Sequence, residues 1–382
     1  MAVQLLSHEI SDLCLGKPPL RQLPVSATLS DAFSFFRRSS GDTSLTVWSS
    51  SSSVGDATSK CVGKISVVDV LCYLCKEENI SSPNIALNSP ISLLLPQRPP
   101  LVKQLDPNSS ILEAVDCILE GAQSIIVPRR SRHTGSPRQK PVQKPSAGRT
   151  YCSITQEDVV RFFFNSINHF SPIPFNSIQS LDIIEEKVPT VHYDDPALTA
   201  LTAISNSESG QTAVAVVDDE GRLVGEISVY TLACSDEAVA PAVATLSAGD
   251  LMAYVDYGGP PEDLVQLVRE RLEEKKLDKM LELLEDFHSN SSVSSCISSS
   301  SSSSDDEVAV KSTRPRTNSG RFASGTEPIF CHPGSSLIAV MIQALSHRFN
   351  HVWVIEEDHS LVGIVTFAGM LKVLRDRVPS VL

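Results

Sequence analysis

No run of about 18 apolar residues occurs in the 382-residue sequence, so no helical membrane span is expected. Basic charge is also in short supply. The 32 Lys and Arg face 45 Asp and Glu, a formal net charge of −13. That balance argues against a nucleic-acid binder, because a phosphate backbone needs a basic surface. A cysteine framework is missing as well. Nine cysteines (Cys14, Cys61, Cys72, Cys75, Cys117, Cys152, Cys234, Cys296 and Cys331) are odd in number and irregular in spacing. Reduced thiols in an intracellular compartment are the simplest reading. The N-terminus has no basic region followed by an apolar run; His8, Glu9 and Asp12 come too early for a secretory signal, and acids are unusual in a transit peptide. The cytoplasm is the expected location, with the nucleus left open.

Signatures of catalysis are absent too. No Gly-x-Ser-x-Gly, P-loop or Rossmann fingerprint follows a strand pattern, and no carboxylate pair is spaced as an acid/base couple. His332 stands apart from His347 and His351, and Cys72 and Cys75 have no second pair to complete a zinc site. The two cysteines read as a buried structural pair on one helix face. A non-enzyme is therefore expected.

What the sequence does contain is a repeat. Hydrophobic residues at 41% and charged residues at 20% suit a globular protein. The clearest unit runs from a start signal at Asp194–Pro196, through helix-spaced Leu198, Leu201 and Ile204, to a hairpin. The hairpin strands are Val214–Val217 and Leu223–Ile227, turned by Asp219, Glu220 and Gly221. The C-terminus repeats the order with His332–Ile342, Val352–Ile355 and Leu361–Thr366. Weaker copies run from Ala27 to Asp69 and from Asp106 to Asp158. Each reads as β-α-β-β-α, an α+β class with helical periodicity giving way to extended periodicity in the same order.

Uneven spacing between the corresponding positions Asp69, Asp158, Thr231 and Gly369 locates the insertions. The expected organisation is repeat 1 over 16–78 and repeat 2 over 96–168, the latter split by a basic insertion at 129–149. Repeat 3 then covers 184–236, an insertion 237–325, and repeat 4 326–382. The long insertion is expected to hold an amphipathic helix at 262–287, covering the second half of the molecule or offering a partner surface, and a Ser-rich linker at 289–325. The basic and Ser-rich segments have the composition of disordered chain. The basic one reads as a solvated loop.

Two features of the repeat resemble the CBS (cystathionine β-synthase) domain. One is a Pro-x-x-Ser-Leu/Ile helix start, at Pro107–Ile111 and Pro333–Leu337. The other is a Val-Gly-x-Ile/Val-Ser/Thr strand leading into the closing helix, clear in copies one, three and four. Four copies in series, with insertions, resemble plant proteins made only of CBS repeats. The resemblance implies two Bateman modules, each a pseudo-two-fold pair of repeats packed sheet to sheet, copy one with two and three with four. It also implies adenosine-ligand clefts between repeats. In binding members a Gly-x-h-Ser/Thr-x-x-Asp strand end supplies a hydroxyl for phosphate and a carboxylate for ribose.

Copy one keeps this pattern as Gly63, Ser66 and Asp69. Copy two keeps Thr155 and Asp158, with Cys152 in the glycine position, which puts close backbone approach there in doubt. Copy three has Ser228 but Thr231, and copy four Thr366 but Gly369. The expected ligand site is therefore in the first module, carried by Ser66, Asp69, Thr155 and Asp158, with the second module degenerate. The plain alternative for both acids is helix N-capping. Candidate ligands are AMP, ADP, ATP or S-adenosylmethionine, acting as regulators and not as catalytic cofactors. The expected partners are that small molecule and a protein of unknown identity, with a homodimer as one candidate assembly. The competing reading is a ligand-free interaction scaffold. Ser303, Ser304 and Ser319 match short kinase-site patterns.

Overall fold

The computed structural model describes residues 8–38, 43–50, 59–95, 102–129, 150–207, 212–233, 239–256, 260–285 and 327–376. Most of the basic insertion, the Ser-rich linker and Ser303, Ser304 and Ser319 lie outside these residues.

Among the described residues, twelve strands form four three-stranded sheets of one design. In copy one, β1 (Gln22–Pro24) runs parallel to β2 (Ser44–Ser50), which pairs antiparallel with β3 (Ser59–Ser66). Copy two repeats this with β4 (Val102–Gln104), β5 (Ser124–Pro128) and β6 (Tyr151–Thr155). Copy three uses β7 (Thr190–His192), β8 (Ala213–Val217) and β9 (Leu223–Ser228). Copy four uses β10 (Phe330–Cys331), β11 (His351–Ile355) and β12 (Leu361–Thr366). A helix joins the first two strands of each copy, as a connection between parallel strands requires, and another follows the third. The hairpin of copy two closes at Pro128 and Tyr151, so the basic insertion leaves from its tip.

Strand periodicity decides which layers meet. In β8, Val214 and Val216 face a core built with helices, while Ala213 and Ala215 face the sheet of copy four. In β5, Ile125 and Val127 face helices and Ile126 faces the sheet of copy one. Sheets thus pair as copy one with two and three with four, the two modules implied by the repeat. The helix layers do something further. Those of copies one and three share one core, and those of copies two and four share another. The modules are joined diagonally by apolar burial, the dominant favourable term in folding.

Linkers cross between copies. Residues preceding copy one lie on copy two: Ile10, fully buried, donates its N–H to Ser109 O at 2.8 Å, and Ile111 donates to His8 O at 3.0 Å. The segment before copy three repeats this on copy four, Ile178 to Ser335 O at 2.9 Å and Leu337 to Asn176 O at 3.0 Å.

The expected single helix at 262–287 is two helices, Glu262–Glu274 and 278–285. Lys276 takes φ 57° between them, while Leu277 donates to Leu272 O and Lys276 to Glu273 O. These paired bonds are a Schellman stop, which apolar periodicity does not reveal. Val265, Val268, Leu272, Met280, Leu283 and Leu284 join the core of copies one and three.

Candidate functional site

Each repeat delivers its last strand into the N-terminus of a helix, and a Ser or Thr caps that turn. In copy one, Ser66 caps the helix Val67–Leu74. Its Oγ accepts from Asp69 N at 3.3 Å, while Asp69 Oδ2 accepts from Ser66 N at 2.7 Å and Ser66 Oγ at 2.8 Å. Asp69 Oδ1 accepts from Ser205 Oγ of copy three at 3.3 Å. Both carboxylate oxygens are thus engaged within the fold. The space beside Gly63 is taken by Leu95, whose Cδ2 lies 2.8 Å from where a Cβ would stand.

Copy two has the same capping box: Asp158 Oδ2 accepts from Thr155 N at 2.7 Å and Thr155 Oγ1 at 2.9 Å. Its surroundings differ. Lys17, from the segment ahead of copy one, pairs with Asp158 and donates to Ser153 O at 3.1 Å. Thr155 and Asp158 also open onto a cavity of about 660 Å³. Copy one supplies Thr46 and Lys64, copy two Gln123, Ser124, Ser153 and Glu157, and the N-terminal segment Lys17 to Arg21. The second module closes it with Thr212, Tyr230, Asn350 and Phe367. Lys64 Nζ lies 3.3 Å from Gln123 Oε1. Burial pushes the Lys64 ammonium down to about 8, against the pull of Asp69.

Of the four residues expected to bind ligand, the structure therefore brings Thr155 and Asp158 to the cavity together. Ser66 and Asp69 are held elsewhere by capping and helix packing. Lys17, Arg21 and Lys64, the cations of the site, were missed. Lys64 had a readable signal: it lies two residues before Ser66, on the same face of β3. Lys17 had none, because only the crossing of the N-terminal segment onto copy two brings it there.

Cys152 at the motif's glycine position does not crowd this site, because its side chain points into the helix-side core. Gly63 and Gly363 mark places where the chain itself presses close. A Cβ at Gly363 would stand 2.5 Å from Glu185 O.

The second module fills the matching space. Glu226, two residues before Ser228 and so at the position of Lys64, is 1% exposed. Its Oε2 accepts from Trp353 Nε1 at 2.6 Å and lies 3.0 Å from His351 Nε2. Trp353, fully buried, packs on Ala213, Ala215 and Ile364. In copy four, Thr366 Oγ1 donates to Glu185 Oε1 at 2.8 Å and accepts from Gly369 N at 3.1 Å. Glu185 thus puts a carboxylate where copy four lacks its Asp. By the register of the two linkers, Glu185 is the counterpart of Lys17.

No cluster of metal-ligating side chains and no helix long and apolar enough to cross a membrane occurs among the described residues.

Comparison with known proteins accounts for this architecture. The CBS domain model matches residues 180–233 and 324–376, copies three and four. The CBS domain-containing protein CBSX5 of Arabidopsis thaliana is 45% identical over 98% of this chain and 98% of its own. At 22% identity, over 97% of this chain and 96% of its own, lies the Arabidopsis SNF1-related protein kinase regulatory subunit gamma-like PV42b. A Methanocaldococcus jannaschii structure, described as a candidate archaeal homolog of γ-AMPK, shares the fold with a TM-score of 0.56. It is 16% identical, covering 96% of this chain and 99% of that one. Four repeats of one β-α-β-β-α design, paired sheet to sheet along a chain that aligns nearly end to end with CBSX5, place it in the CBS domain family.

Proposed function

We propose that this protein is a non-catalytic regulator that binds an adenosine nucleotide in the cavity of its first module and acts on a partner protein in the cytoplasm. The observation that carries this reading is the cavity itself. A carboxylate at a helix N-terminus, Asp158, faces it beside a capping hydroxyl, Thr155, and three cations, Lys17, Arg21 and Lys64, line it. Asp158 Oδ1, which makes no hydrogen bond among the described residues, suits ribose hydroxyls, and the cations suit phosphate. This favours AMP, ADP or ATP over the cationic S-adenosylmethionine. The kinship with a gamma-like kinase regulatory subunit supports a regulatory role.

Calorimetry against AMP, ADP, ATP and S-adenosylmethionine tests it. Binding of a phosphate-bearing nucleotide that Asp158→Ala weakens is the expected outcome; heat from none of the four sinks the reading. The scaffold alternative draws on two observations: both acids act as helix caps, and the second module is packed shut. It would then stand alone.

A further inference from the structure

The second module forms one wall of the first module's cavity. Thr212, Tyr230, Asn350 and Phe367 line that wall, and Asn350 immediately precedes His351, the buried partner of Glu226. The backbone of Asn350 is held in place. Its carbonyl accepts from Phe367 N at 2.9 Å. The buried neighbour Phe349 lies edge-on to Tyr230 and to His351, with ring centroids 5.8 and 5.9 Å away.

The Asn350 side chain is held on one side only. Its Oδ1 accepts from Thr212 Oγ1 at 3.0 Å and lies 3.0 Å from His351 Nδ1. The amide nitrogen carries two N–H donors. It makes no hydrogen bond among the described residues and is not sealed from solvent. With its oxygen taken, the amide offers donors alone, the complement of a phosphate oxygen.

The buried polar cluster behind it accounts for this one-sidedness. Asn350 Oδ1 faces one ring nitrogen of His351, and Glu226 Oε2 faces the other at 3.0 Å. A ring with a proton on each nitrogen satisfies both acceptors. Trp353 Nε1 donates to the same Glu226 oxygen at 2.6 Å. The chain Trp353, Glu226, His351, Asn350 thus turns the amide oxygen inward and leaves its N–H groups for the cavity. A buried charged pair seldom stabilises a core more than apolar side chains of the same shape, and here Glu226 Oε1 has no partner among the described residues. Aiming an amide is something apolar packing cannot do.

We propose that Asn350 contacts a phosphate oxygen of the bound nucleotide through its amide N–H groups, and that His351 is the residue that positions it. The closed second module thereby serves the ligand site of the first. The contact rests on the function proposed above; the positioning does not.

The test uses the full chain and a pair of isosteric variants. An Asn side chain carries its amide nitrogen near the place of a histidine Nδ1, and a Gln side chain near that of Nε2. His351→Gln therefore keeps the bond to Glu226 and loses the one to Asn350, while His351→Asn does the reverse. ATP affinity by calorimetry should fall about tenfold in Asn350→Ala and about fivefold in His351→Gln, and stay within about twofold of the wild type in His351→Asn. Chemical denaturation should rank the His351 variants the other way, His351→Asn being the less stable because a buried carboxylate loses a partner. Affinities that follow stability overturn the positioning, and full affinity in Asn350→Ala overturns the contact. A loss for adenosine as large as that for ATP overturns its assignment to phosphate. The positioning is also read without ligand, from the Asn350 side-chain amide signals in heteronuclear NMR, identified by their absence in Asn350→Ala. These signals should shift and broaden in His351→Gln and match the wild type in His351→Asn; identical signals in all of them overturn the positioning. If this contrast holds but the wild type binds no ATP, the positioning stands and the nucleotide reading falls.

Discussion

The two modules share one blueprint and differ in what fills the space between their sheets. The first sets Lys64 on β3 opposite Gln123 and Ser124, and leaves a cavity. The second sets Glu226 at the same strand position, and His351 and Trp353 close on it. Small residues make that closure possible: Ala213 and Ala215 stand where copy one has Ser44 and Thr46, so the indole fits without displacing the strands. The crossing linkers differ in the same sense. Lys17 meets an acid that copy two retains, while Glu185 supplies one that copy four has lost. One architecture thus yields an open, cation-lined space and a packed polar plug through a few side chains on equivalent positions. The plug still leaves Glu226 Oε1 without a partner among the described residues, a cost the second module carries because Oε2 satisfies two donors.

The largest effect is expected from removing the plug. Trp353→Ala deletes a fully buried ring and one of the two hydrogen bonds to Glu226 Oε2, and should lower stability by about 3–5 kcal/mol in chemical denaturation. A loss under 1 kcal/mol would mean that the second module is not held shut by this packing.

Next comes the contrast between the two acids of the first module. Asp158→Ala should weaken nucleotide binding by about 1.5–3 kcal/mol, tenfold to a hundredfold or more. Asp69→Ala should leave affinity intact and lower stability by about 1 kcal/mol through the lost capping box. Titrations and melts on both variants read the two effects separately. Equal losses of affinity would show that Asp69 also serves a ligand.

This pair of acids marks how far the sequence could be read. The order of strands and helices was legible because β8, β9, β11 and β12 alternate or run apolar in hairpin lengths, and because Gly221 takes the φ of 75° that its turn demands. The pairing of copies followed from one-sided faces that each need cover. The motif Ser-x-x-Asp was legible too, but it describes two jobs. At Ser66 and Asp69 the helix of copy three takes the second oxygen, whereas Thr155 and Asp158 line the cavity. Local spacing cannot separate them, since the deciding partners, Ser205 and Lys17, lie 136 and 141 residues away. The diagonal sharing of helix cores is hidden for the same reason.

A smaller effect is expected from Lys64, the cation that replaces Glu226 in the open module. Its folded-state proton is lost near pH 8 instead of at the ordinary 10.5. A bound phosphate raises that value again, so binding takes up a proton above pH 8. Affinity for a phosphate-bearing nucleotide should therefore be full below about pH 7, fall as pH rises through 8, and lose this dependence in Lys64→Met. For folding the sign is opposite. The unfolded chain holds the proton to higher pH, so this residue's contribution makes the protein more stable between pH 8 and 10.5. Isothermal titrations at pH 6.5 and pH 9 check the first claim. A flat profile in the wild type would remove Lys64 from the site.

The smallest effect belongs to Thr231, which holds the Asp position in copy three. Its N–H donates to Ser228 Oγ at 3.3 Å and its Oγ1 to Ser228 O at 2.9 Å, so it serves the turn between β9 and the helix Val229–Ala233. It is not among the residues lining the cavity, although Tyr230 beside it is. Thr231→Ala should therefore leave nucleotide affinity unchanged within error. It should cost about 0.5–1 kcal/mol of stability through the lost hydroxyl bond. The reverse substitution is more demanding. Thr231→Asp restores the acid of copies one and two, and a carboxylate at the third helical position can rebuild the capping box with Ser228. If the acid alone made a ligand site, this variant would bind a second nucleotide. The packed plug of Glu226, His351 and Trp353 argues that it will not, and that stability alone will rise, by about 0.5–1 kcal/mol. A calorimetric stoichiometry of two would refute this view of the second module and show that its cleft opens once the acid returns.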